Sequence, residues 1–144
     1  MSDLKFNITA DSANATKTIV KARNFEIIVD EPPVLGGKDE GPNPVEFVLA
    51  AYAGCINVVG HVVAKEMGFR LDGVKIEISG KINPENFLGK SDKERAGYKQ
   101  IEMKVIPNTT ASEEVLAEWL EKVCNRCPVS DNIKHETPVS IQMN

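Results

Sequence analysis

The stretch NPVEFVLAAYAGCINVVGHVVAKEMG, from Asn43 to Gly68, decides the reading of this chain. Asn43 has a side chain of the helix-capping type, Pro44 suits a first helical position, and Glu46 stands at the third. Gly68 is a natural terminator, so a helix is expected from Pro44 to about Met67. Inside it, Phe47 to Ala64 runs eighteen residues without a charge. That is near the length of a membrane span. Asn57, His61, Gly54, Gly60 and four alanines argue against lipid, and no basic loop flanks the run. The expectation is a helix buried on all sides in protein, with no membrane involved. A chain of 144 residues has little material to surround such a helix, which points to a partner subunit over one face.

Working outward, the N-terminal third reads as strands. Leu4, Phe6 and Ile8 alternate with polar residues, and Thr16–Ala22 and Phe25–Asp30 follow, split by Arg23-Asn24. Residues 31–42 carry Pro32, Pro33, Gly36, Gly37, Gly41 and Pro42, which forbid regular structure and mark a loop long enough to be functional. Beyond the helix, Val74–Ile82 alternates apolar and polar positions, 83–97 is a polar loop, and Tyr98–Ile106 is a second strand. Thr110 to Glu113 has the spacing of a capping box. It opens an amphipathic helix with Val115, Leu116, Trp119, Leu120 and Val123 on one face. Cys127-Pro128 begins a further short turn or helix, and Pro138–Met143 reads as a closing strand. The order βββ, helix, ββ, helix, β gives an α+β fold with antiparallel sheet in one domain spanning 1–144.

Composition narrows the function. Seventeen basic and twenty-one acidic residues leave a net charge of −4 and a pI near 5.3, with no basic stripe for nucleic acid or anionic lipid. Three cysteines cannot all pair within the chain, and the first residues lack the apolar core of a signal peptide. A reducing cytoplasmic setting is therefore expected, where paired cysteines serve redox chemistry or metal more often than stapling.

Cys55 lies mid-helix, where a small buried apolar residue is the bland reading. Cys124 and Cys127 form a Cys-x-x-Cys pair as the second helix ends, the wrong end for a thioredoxin-type thiol. Cys127, followed by Pro128, is placed to start a new turn whose free amides favour a thiolate. A zinc reading would need Cys55, Cys124, Cys127 and either His61 or His135, yet only one tight ligand pair exists. His61 reads as a hydrogen-bonded core or interface residue and His135 as a surface one. Gly36-Gly37 lacks the lysine–serine pair of a phosphate loop.

The run Gly36-Gly37, Gly41-Pro42-Asn43-Pro44-Val45-Glu46-Phe47 and Ala50-Ala51-Tyr52-Ala53-Gly54-Cys55, followed by Cys127-Pro128-Val129-Ser130, resembles the OsmC/Ohr family. The order of elements fits that family over nearly the whole chain. The resemblance implies an intertwined homodimer with two long helices at its centre. It implies a thiol peroxidase needing no cofactor and no metal, which reduces organic hydroperoxides and is recycled by a dithiol reductant. By position, Cys55 resembles the peroxidatic cysteine and Cys127 the resolving one, while Cys124 is extra and a possible alternative resolver. Glu46 stands where the OsmC-like branch has its glutamate, nine residues before the cysteine; the Ohr branch has it one earlier, where this chain has Val45. The family's arginine is assigned to Arg23, the only arginine before the helix.

The chemistry asks for a thiolate at Cys55, which burial opposes and a nearby guanidinium favours. Val48, Ala51, Val58 and Val59 would give an apolar pocket suited to an organic hydroperoxide. Nine helical residues are about 2.5 turns and roughly 13.5 Å of rise, so Glu46 and Cys55 point to opposite sides of one straight helix. Glu46 is then a helix cap, a group acting across a dimer interface or through an arginine, or both. The competing readings are a related dimer with altered catalysis that binds a small apolar ligand, and a zinc-stabilised structural protein.

Overall fold

The computed structural model describes all 144 residues, which fall into two compact units, Met1–Val48 and Leu49–Asn144. The first unit holds an antiparallel sheet of β1 (Thr9–Ser12), β2 (Thr18–Ala22) and β3 (Phe25–Val29), in the order β1-β2-β3. Ala22 pairs with Phe25, so Arg23-Asn24 is a two-residue hairpin turn. Arg23 takes a left-handed backbone there (φ 55°), uncommon for a residue with a side chain. Leu4, Phe6 and Ile8 lie outside any strand and exposed, because no neighbouring strand in this chain offers them a ladder.

Just past β3, Asp30 organises the loop. Its carboxylate is buried and accepts from the Thr16 hydroxyl (2.9 Å) and from the backbone N–H groups of Glu31 (2.8 Å), Lys38 (3.3 Å) and Glu40 (3.1 Å). These donors, led by Glu31 N–H, hold the acid below the usual carboxylate range although its burial pushes the other way. A short 3₁₀ turn at Pro33–Leu35 ends on Gly36 with φ 88°. Gly37 passes so close to the Glu31 carbonyl that a Cβ would collide with it at 1.8 Å. Asp30 is the only buried residue of this unit, which therefore has no apolar core of its own.

Helix α1 (Pro44–Met67) begins as its sequence predicts: the Asn43 side chain accepts from Glu46 N–H at 2.9 Å. It ends in a Schellman motif, with Gly68 at φ 76° and the N–H groups of Gly68 and Phe69 bonded to the Lys65 and Ala64 carbonyls. The second unit then adds a hairpin of β4 (Gly73–Lys81) and β5 (Gln100–Asn108), paired from Gly73↔Asn108 to Lys81↔Gln100. Its apolar face alternates with a charged one in both strands. The polar connection between them gathers on Glu94, which accepts from Asn83, from Lys99 (3.1 Å) and, at its carbonyl, from Asn86 (2.9 Å). Helices α2 (Glu113–Arg126) and α3 (Pro128–Lys134) complete the unit. The cap of α2 is Ser112, whose hydroxyl accepts from Val115 N–H, rather than Thr110, so the capping box expected there starts two residues too early.

The core is Ile56, Val63, Ala64, Trp119, Val123 and Cys127, flanked by Tyr52, Val74, Ile76, Met103 and Val105 among others. Trp119 locks α2 to α1. Its indole N–H donates to the Gly60 carbonyl at 2.8 Å, and its ring stands edge-on to Phe69 at 6.4 Å. Within this chain one stripe of the long helix packs on α2 and the hairpin, while Val58 and Val62 remain 62% and 44% exposed, so its burial on all sides would require a partner subunit. One expectation needs correction. Residues 138–143 form no strand, and Val139, Ile141 and Met143 face solvent, again for want of a strand to pair with.

Candidate active site

Two cysteines seventy-two residues apart meet between α1 and the start of α3. The Cys127 thiol donates to the Cys55 sulfur, with the two sulfurs 2.8 Å apart and all three cysteines of the chain free. Local structure explains the meeting. Helix α2 ends at Arg126, Cys127 turns into an extended conformation (φ −78°, ψ 112°), and Pro128 starts α3. The bend points the Cys127 side chain back at α1, where Cys55 lies one residue before the buried Ile56. Cys127 also caps α3, its sulfur accepting from Ser130 N–H at 3.3 Å.

Burial pushes the Cys127 thiol above the ordinary cysteine range, and its hydrogen bond to Cys55 adds to the push. The Ser130 and Val129 N–H groups pull the other way without overcoming it. In this pair Cys127 is the donor and Cys55 the acceptor.

A second contact stands beside the first. The Tyr52 hydroxyl and the buried Ser130 hydroxyl are 2.9 Å apart. Between α2 and α1, Arg126 forms a two-pronged ion pair with Glu66, with Nη2 3.0 Å from Oε1. Each partner holds the other's charge: Glu66 is shifted down chiefly by the Arg126 hydrogen bond, and Arg126 is shifted up.

The other residues singled out in the sequence are placed as follows. Cys124 is half-buried on the last turn of α2, and the thiol that meets Cys55 is that of Cys127. Ala51 and Val58 lie on exposed positions of α1 and Val59 is half-buried. Val48 is exposed on α1 as well. Glu46 is exposed in the first turn, its N–H bound by Asn43. Arg23 sits at the β2–β3 turn with its guanidinium 4.9 Å above the Phe25 ring. His61 bonds the Asn57 carbonyl at 2.9 Å from an exposed position, not from the core, and His135 pairs with Asp131 at 3.2 Å on the surface. No three His, Cys, Asp or Glu side chains converge as metal ligands.

Tyr52, Ser130 and the Glu66–Arg126 pair were not singled out from the sequence. The signal was present in spacing: Tyr52 precedes Cys55 by three residues, and Ser130 follows Cys127 by three. It becomes legible only once the two helices are known to face each other.

A family model described as OsmC-like protein matches residues 37–142. The chain belongs to the OsmC-like family. Solved structures share its fold at low identity. The OsmC-like protein of Mycoplasma pneumoniae superposes with a TM-score of 0.80 at 18% identity, over 94% of this chain and 91% of that one. An organic hydroperoxide resistance protein of Elizabethkingia anophelis, with thiocyanate bound, gives 0.69 at 22% identity over 94% and 91%. An OsmC-like protein of unknown function from Vibrio cholerae gives 0.67 at 14% identity over 95% and 96%. No curated protein matches the sequence.

Proposed function

We propose that this protein is a thiol-dependent peroxidase that reduces organic hydroperoxides to alcohols. The observation that carries the reading is the 2.8 Å contact between Cys55 and Cys127, with Cys127 as donor. Family membership and the fold shared with an organic hydroperoxide resistance protein support it. Cys55, as thiolate, attacks the terminal oxygen of the O–O bond. The alkoxide leaves and takes a proton to become the alcohol, and Cys55 becomes a sulfenic acid. The Cys127 sulfur attacks the Cys55 sulfur, and the hydroxyl leaves as water with the Cys127 proton. A dithiol restores both thiols by exchange.

The cation for Cys55 is assigned to Arg23, and Glu46 acts across a dimer interface by orienting that guanidinium. The homodimer is part of the proposal. It is supported by the exposed apolar positions of α1 and by a first unit with no apolar residue buried. Val48, Ala51, Val58 and Val59 are the apolar wall for the alkyl group, and the setting is the reducing cytosol.

The test is mass spectrometry of the protein after one equivalent of an alkyl hydroperoxide. A Cys55–Cys127 crosslink is expected, in excess over any Cys55–Cys124 species. Cys55→Ser should abolish turnover, whereas Cys127→Ser should complete one turnover and then stall. Full peroxide turnover by Cys55→Ser would falsify the proposal.

A further inference from the structure

Helix α1 carries Tyr52 and Cys55, and α3 with its cap carries Cys127 and Ser130. Both pairs are three residues apart, so each presents two side chains on one helical face. The two faces meet rung to rung, Cys55 on Cys127 at 2.8 Å and Tyr52 on Ser130 at 2.9 Å. Ser130 is wholly buried, and its N–H holds the Cys127 sulfur at 3.3 Å while its hydroxyl reaches Tyr52. One residue therefore ties the second thiol to the first helix through two different atoms. A shift of α3 along α1 would break both rungs together.

We propose that Tyr52 and Ser130 are positioning residues that hold Cys127 in register with Cys55 for disulfide formation. A disulfide needs its Cβ atoms about 3.8 Å apart and its Cα atoms below roughly 7 Å, so the seven-residue α3, beyond its packing through Cys127 and Val129, has to keep a close register on α1. The hydroxyl rung supplies the anchor and takes no part in the bond changes. It acts wherever the two sulfurs join: in the condensation of a Cys55 sulfenic acid with the Cys127 thiol, which releases water, or in exchange with oxidised glutathione, which releases two glutathione thiols. In the first setting the inference rests on the proposed peroxidase; in the second it stands independently of it.

Equilibration of the whole protein in glutathione redox buffers, with disulfides mapped by mass spectrometry, tests it. In Tyr52→Phe and in Ser130→Ala, the ratio of Cys55–Cys127 disulfide to reduced pair should fall about fivefold, the worth of one neutral hydrogen bond. The share of Cys127 joined to Cys124 should rise in step. A merely structural loss would leave that partition unchanged in the folded protein. The double variant should be no worse than either single one, because one bond is lost in all three. Tyr52→Phe removes a single oxygen and keeps the ring, so it remains informative if Ser130→Ala folds poorly. Wild-type ratio and partition in Tyr52→Phe would overturn the inference. Normal glutathione behaviour of the wild type with no reaction toward alkyl hydroperoxide would overturn the proposed function and leave the rung standing.

Discussion

Cys127 is buried, donates to one sulfur and receives a donor from its own helix, and its proton affinity follows from those three facts. Its thiol is raised, so the folded state holds this proton more tightly than the unfolded chain does. That stabilisation is complete below the unfolded thiol pKa and drains away as pH climbs through the folded one. Alkylation of Cys127, followed by mass spectrometry across alkaline pH, should show a midpoint above the ordinary cysteine range. In Cys55→Ala the midpoint should fall, because the acceptor and the neighbouring negative charge both vanish. A midpoint unmoved by that change would mean burial alone sets it. At this scale the choice of Cys55 and Cys127 came from the resemblance to the OsmC/Ohr family, since the residues alone left Cys55 as a buried apolar position. The sequence was silent about their surroundings, because Tyr52 and Ser130 are ordinary residues until the bend at Cys127 turns α3 onto α1.

Helix α1 was legible from end to end, since Asn43, Pro44 and Gly68 act locally and bond as their residue types require. Strand alternation placed β4 and β5 for the same reason. The start of α2 was misread because Thr110 and Ser112 are both capping types, and only the chain's exit from β5 selects between them. What no local signal disclosed is the fit of Trp119 on Gly60. A Cβ at Gly60 would stand 3.0 Å from the Trp119 ring, which cannot retreat because it is buried and its N–H is fixed on the Gly60 carbonyl. Gly60→Ala should therefore destabilise the protein by about 1–3 kcal/mol, the usual penalty for overpacking, read as a lower denaturant midpoint at unchanged slope.

The two ends of the chain pose one question at the largest scale. Leu4, Phe6 and Ile8, and again Val139, Ile141 and Met143, alternate as strands do, yet all six are at least 65% exposed. Neither segment forms the strand its alternation suggests, and the single chain provides neither with a partner. If a second copy provides it, dimer and fold are coupled, and apparent stability must depend on concentration. Dilution through the micromolar range should lower the melting temperature, and sedimentation should show a dimer that Phe6→Ser combined with Ile8→Ser weakens. A monomer at millimolar concentration would end the dimer proposal. One further consequence attaches to Trp119, the sole tryptophan of the sequence, and to the tyrosines Tyr52 and Tyr98. All three chromophores belong to the unit 49–144. Near-ultraviolet emission therefore watches only that half of the molecule, and the N-terminal sheet comes apart optically dark.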